Sequence, residues 1–162
     1  MKFEDFIKNR KVRKTSFDKG LFDSLIKTSK MDLGYLDSVE ITGYSSRKTM
    51  SNYYDVMRAY LEALGLKKGY KIYSHEAFTF FLKEINEEVL AIKFDRLRKI
   101  RNGINYYGED ITVEEVKDNI VVIKEIIKRV LELLWREGFI FFKKKKWRRG
   151  RDLNPRAPKD TG

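Results

Sequence analysis

The sequence contains no cysteine, which excludes disulfides, thiolate nucleophiles and cysteine-ligated zinc. Histidine occurs once, at position 75, so we expect no metal site and no cofactor held by a histidine set. Glutamine is absent while lysine and glutamate are abundant, a usage bias of proteins from hot environments. No apolar run approaches the about 20 residues that a membrane-spanning helix needs. The opening Met1-Lys2-Phe3-Glu4-Asp5 puts acids where a signal peptide needs a basic start and an apolar stretch. Glycine-rich phosphate loops and serine-hydrolase elbows are also missing. The expectation is a soluble, cytoplasmic protein with no membrane partner.

What is present suffices for a core. A chain of 162 residues with 42% hydrophobic content fits one domain. The formal charge of +11 suggests a nucleic-acid footprint until it is located along the chain. Residues 1–14 carry a net +4, residues 139–162 a net +7, and residues 15–138 balance. The central body is thus neutral and binds anions only where side chains concentrate locally.

Helical periodicity dominates. Residues 1–14 read as a basic arm or a short helix. A long helix is expected from near Thr15, with Asp18 forming an approximate capping box and Leu21, Leu25, Ile26, Leu33 and Leu36 on its apolar face. A second runs from about Ser46 to Lys68 on Met50, Tyr53, Tyr54, Met57, Leu61 and Leu64, with Gly69 at a left-handed cap. A shorter third follows Ser74 as N-cap, and a fourth spans about Glu87 to Tyr107. Thr112-Val113-Glu114-Glu115 is a capping box for a fifth, whose broad apolar face suggests two packing neighbours or a second subunit. Strand alternation and hairpin signals are lacking. The fold class expected is all-α, an antiparallel up-and-down bundle of four or five helices over residues 15–138. Residues 139–162 form a basic tail, expected to be disordered; its end, Gly150 to Arg156, resembles the peptide encoded where a reading frame runs into the reverse complement of a transfer-RNA T-arm.

One residue conflicts with the pattern. At about 100° per residue, Phe94, Leu97, Ile100, Ile104 and Tyr107 share a stripe, and Arg101 falls inside it. A guanidinium rarely enters a core without a partner. Asp55, Glu62 and Glu76 are the acids that could satisfy it structurally. Arg98 lies one turn back, Asn102 follows directly and Asn105 lies one turn on, so donors converge on one helix edge. Such a set suits a phosphate, because the guanidinium fork makes bidentate contacts. His75, at the start of the third helix, either reaches this edge or packs locally.

The run Arg101-Asn102-Gly103-Ile104-Asn105-Tyr106, late on a long helix, resembles the signature of the HEPN superfamily: an arginine, a polar residue, about three others and a histidine. Tyr53-Tyr54-Asp55 to Arg58, Gly69-Tyr70-Lys71 with Ser74-His75-Glu76, and Tyr106-Tyr107-Gly108 extend the resemblance over residues 15–135, closest to prokaryotic stand-alone members. It implies a helical homodimer in which two motif helices form one cleft. It also implies a metal-independent endoribonuclease, toxin-like and silenced by a minimal nucleotidyltransferase partner. Catalysis of that kind uses the ribose 2′-hydroxyl as nucleophile, a histidine to move the proton and an arginine to stabilise the phosphorane.

Arg101 and Asn102 match family positions, but Asn105 or Tyr106 stands where the histidine belongs. An amide exchanges no proton near pH 7 and a phenol with a pKa of about 10 is a poor base, so general acid–base help of about 10²–10⁴ in rate is missing. The expected function is therefore a module that binds RNA or a nucleotide and partners a minimal nucleotidyltransferase. Arg101, Asn102 and Tyr106 occupy the catalytic positions, with Asn105 and His75 as contributors; Arg98, Arg101, Asn105 and Tyr107 are the binding residues. Two other readings are an active metal-independent endoribonuclease and a structural dimer or scaffold with a salt-bridged Arg101.

Overall fold

The computed structural model describes residues 1–136; the expectation for the tail 139–162 falls outside them. Six helices and one small sheet follow in the order α1 (Phe3–Lys8), β1 (Val12–Lys14), α2 (Lys19–Ser38), α3 (Ser46–Lys67), β2 (Tyr70–Ile72), α4 (His75–Glu84), α5 (Glu88–Tyr107) and α6 (Val113–Arg136). The structure is predominantly α-helical. No helix among the described residues is long and apolar enough to cross a membrane.

Helix α3 is the centre. It packs against α2 and α6, and also against α4, α5 and β2. Its inward positions Met50, Tyr53, Tyr54, Met57, Leu61 and Leu64 are all buried. Helix α6 uses its broad apolar face on two neighbours, chiefly α3 and also α5. The capping box closes as its sequence requires: the Thr112 amide donates to Glu115 Oε2 at 3.0 Å and the Glu115 amide to Thr112 Oγ1 at 3.1 Å. Gly108, at φ 65°, ends α5 in the left-handed region that glycine favours.

Two expectations are corrected. Helix α2 starts at Lys19, because Asp18 is its N-cap, accepting from the Leu21 amide at 2.9 Å. Thr15 lies outside the helix because its amide is used elsewhere, donating to the Gly69 carbonyl at 2.9 Å. That bond extends an antiparallel sheet in which Val12, Arg13 and Lys14 pair with Ile72, Lys71 and Tyr70. Strands of three residues are too short for alternation to register in sequence. Of the two readings of the N-terminal segment, the short helix is found as α1, and it is packed: Phe3 and Phe6 are buried, Phe3 against Tyr70 and Phe81, and Phe6 against Phe80.

The sheet matters because β2 leads directly into α4 and fixes where His75 begins. It lies tight against α3: a Cβ on Gly65 would come within 3.2 Å of Ile72 Cδ1 and 3.3 Å of the Tyr70 carbonyl oxygen. Lys71 also pairs with Glu62 of α3. Since Phe6 is 3% exposed, Phe6→Ala should destabilise the protein by about 3 kcal/mol in chemical denaturation; a change below about 1 kcal/mol would mean that the N-terminal helix is not part of the core.

Candidate functional site

Tyr54 and Arg58 lie four residues apart on one face of α3, and that face meets the start of α4 and the second half of α5. Tyr54 is completely buried. Its hydroxyl lies 3.0 Å from Nδ1 of His75, the first residue of α4, and the two rings stack with centroids 5.6 Å apart and planes at 16°. On α5, the Arg101 guanidinium carbon lies 5.6 Å from the Tyr54 ring centroid and 5.7 Å from that of Tyr106. The oddly placed arginine is thus held between two aromatic faces, a favourable position for a cation.

Ion pairing adds little to it. The nearest carboxylate is Asp55, 3.9 Å from Nη2 and itself half exposed, although the Arg101 side chain is only 15% exposed. Nη1 reaches the Tyr106 hydroxyl at 3.4 Å, and Nε is buried without a partner. Arg58 behaves similarly: one terminal nitrogen lies 3.5 Å from Glu62, and its Nε is buried and unpaired. Arg98 differs, donating through Nε and Nη2 to Asp95 Oδ1 at 3.0 and 2.7 Å. Leaving a buried donor unpaired costs about 1–3 kcal/mol. The unpaired Nε atoms of Arg58 and Arg101 are therefore a cost to the fold.

The charges act on the ring pair. Burial first, and then the positive charges of Arg58, Arg101 and Arg98, push the His75 imidazole down to about 4. Burial raises the Tyr54 phenol above the usual range; the same three arginines oppose the rise and Asp55 adds to it. Near pH 7 the imidazole is neutral and the phenol protonated, so one of the two groups donates to the other across the 3.0 Å contact. Burial alone would raise the Asp95 carboxyl, but the hydrogen bonds and charges of Arg98 and Lys99 outweigh it and hold the group below the ordinary range.

The structure therefore brings His75, distant in sequence, to Arg98 and Arg101, and adds Tyr54 and Arg58, which the motif reading left out of the site. In the sequence they are marked by the four-residue step that puts both on the same face of α3 and by the Tyr53-Tyr54-Asp55 to Arg58 segment of the HEPN resemblance. Tyr106 touches Arg101, yet it is 70% exposed, and Tyr107 is 80% exposed rather than turned inward on the α5 stripe. Asn102 is half-buried and Asn105 exposed, with the Asn105 side-chain oxygen accepting from Ser51 Oγ of α3 at 2.8 Å. That bond ties the end of α5 to α3. Gly103 leaves α5 unbroken; its missing side chain makes room for the Glu109 carboxylate, which occupies the place of a Cβ.

On another flank of α5, an open cleft of about 380 Å³ is lined by Ile100, Ile104 and Ile111 with Glu109, Asp110, Glu115 and Asp118. Its one arginine, Arg96, is engaged by Asn119 at 3.0 Å. The carboxylates make the cleft unfavourable for an anion. No family model matches this chain, and neither a curated protein nor a solved structure shows significant similarity to it.

Because the folded state lowers the affinity of His75 for a proton, the unfolded chain binds more protons between about pH 6.5 and 4. Stability should fall as pH drops through that window, by on the order of 1–2 kcal/mol once solvent screening is allowed for. Denaturation midpoints at pH 7 and 4.5 measure this; in His75→Gln the difference should shrink, and an unchanged difference would assign the loss to other groups.

Proposed function

We propose that this protein is an HEPN-like helical module that binds RNA or a nucleotide through the cationic surface of α3, α4 and α5, and that it partners a minimal nucleotidyltransferase. The carrying observation is the convergence of Arg58, Arg98 and Arg101 on one Tyr54–His75 pair, where Arg101 has no carboxylate closer than 3.9 Å. A phosphate supplies the acceptors that Arg101 lacks, and a guanidinium fork reads two of its oxygens at once. Tyr106 and Tyr107, exposed at the end of α5, offer ring faces for an unpaired base or for the same helix of a second copy. A homodimer joined through this face would put two such clusters together.

Binding fits the chemistry better than turnover. Cleavage through a 2′-hydroxyl needs one group to take a proton and one to return it. His75 is neutral near pH 7, poorly basic and engaged through Nδ1 by Tyr54, so it is ill suited to take a proton. Asn102 and Asn105 add amide donors and no base. Arg101 then acts as a phosphate anchor, Arg98 as a flanking charge already shared with Asp95, and Tyr106 as a support for Arg101.

Fluorescence anisotropy with a labelled single-stranded oligoribonucleotide tests the reading. Arg101→Ala should weaken binding about tenfold or more, the loss expected for one charge-assisted contact, and affinity should fall steeply with salt. Equal affinity of variant and wild type would overturn it. Neither protein should cleave the probe above background in chelator; cleavage by wild type that disappears in Arg101→Ala would restore the active endoribonuclease.

A further inference from the structure

We propose that Tyr54 is the positioning residue of the phosphate site, its hydroxyl donating to Nδ1 of His75 so that the imidazole is locked as the Nε2–H tautomer and presents that N–H to the ligand beside Arg101. The ligand half rests on the binding function proposed above; the tautomer half stands by itself.

The geometry carries it. Tyr54 is fully buried, and no acceptor other than His75 Nδ1 is in hydrogen-bond contact with its hydroxyl among the described residues. If Nδ1 held the proton instead, the phenol would become the acceptor and its own O–H would have nowhere to go, at a cost of about 1–3 kcal/mol. The reverse orientation is thereby disfavoured. His75 is half-buried, with its Nδ1 edge on the buried phenol and no hydrogen bond to Nε2 among the described residues.

The same phenol ring faces Arg101 at 5.6 Å and His75 at 5.6 Å. One side chain of α3 thus sets the relative position of a donor on α4 and a cation on α5. Among the described residues no hydrogen bond or ion pair joins His75 to Arg101 directly, so the Tyr54 ring is the shared contact between them. A neutral N–H next to guanidinium groups adds a donor to phosphate without adding charge repulsion among the cations.

The test uses the fact that the protein has one histidine, so imidazole ¹⁵N spectra at pH 7 report His75 alone. Wild type should show the Nε2–H tautomer. Tyr54→Phe, which keeps the ring and its stacking, should show a mixture, and should bind the oligoribonucleotide about fivefold more weakly with an unchanged circular dichroism spectrum. In a His75→Ala background, Tyr54→Phe should cause no further loss. Unchanged ¹⁵N shifts in Tyr54→Phe overturn the tautomer lock, and an equal loss in the His75→Ala background overturns positioning through His75. A wild type that binds no oligonucleotide overturns the ligand half together with the function on which it rests, and the ¹⁵N comparison then decides the tautomer half.

Discussion

A phenol with no exposed surface has to place its hydroxyl proton on something, and here the hydroxyl of Tyr54 faces Nδ1 of His75 at 3.0 Å. Much of the architecture around the site follows from satisfying that one group. Tyr54 is buried because α3 is surrounded by α2, α4, α5, α6 and β2. His75 can meet it only if α4 begins at the right height, and α4 begins where β2 delivers it. Strand β2 is held in turn by pairing with β1 and by close approach to Gly65. The N-terminal segment thereby contributes to the site although none of its residues is there.

Arg101 meets the opposite problem. A mostly buried guanidinium normally needs carboxylates, since desolvating an unpaired charge is costly. This one is given two tyrosine faces and a carboxylate at 3.9 Å. Cation–π contact is worth about 0.5–2 kcal/mol, too little to replace a full ion pair, and Nε is left without a partner. Arg98 on the same helix shows what a satisfied arginine looks like, with two bonds to Asp95. The contrast between the two is the strongest physical reason to treat Arg101 as poised for an external anion. Carboxylates of the α5–α6 loop, Glu109 and Asp110, and of α6, Glu115 and Asp118, line the neighbouring cleft and make it unfavourable for an anion.

Most helices were legible because their burial repeats every three to four residues over long stretches. The inward residues of α3 and the capping box of α6 are read from sequence and found in place. Thr15 reads as a helix start because a threonine three residues before an acid has the same local signature whether its amide starts a helix or joins a strand; here the Gly69 carbonyl decides. The sheet was illegible because three residues on each side carry no period. Phe3 and Phe6 gave no sign of belonging to the core, since a short apolar–acidic run fits a packed helix and a loose arm equally well.

By itself, the sequence determined the helical class, the periodic inward faces and the anomaly of Arg101 on an apolar stripe. These are local properties, set by residue type and spacing within one element. Tertiary structure decided that Tyr54 joins His75 to Arg101, that Arg58 and Arg98 act on the same pair, and that Tyr107 points to solvent. Those facts depend on how α3, α4 and α5 cross. No periodicity within a single helix encodes a crossing, which arises only when the buried faces of all of them are satisfied at once.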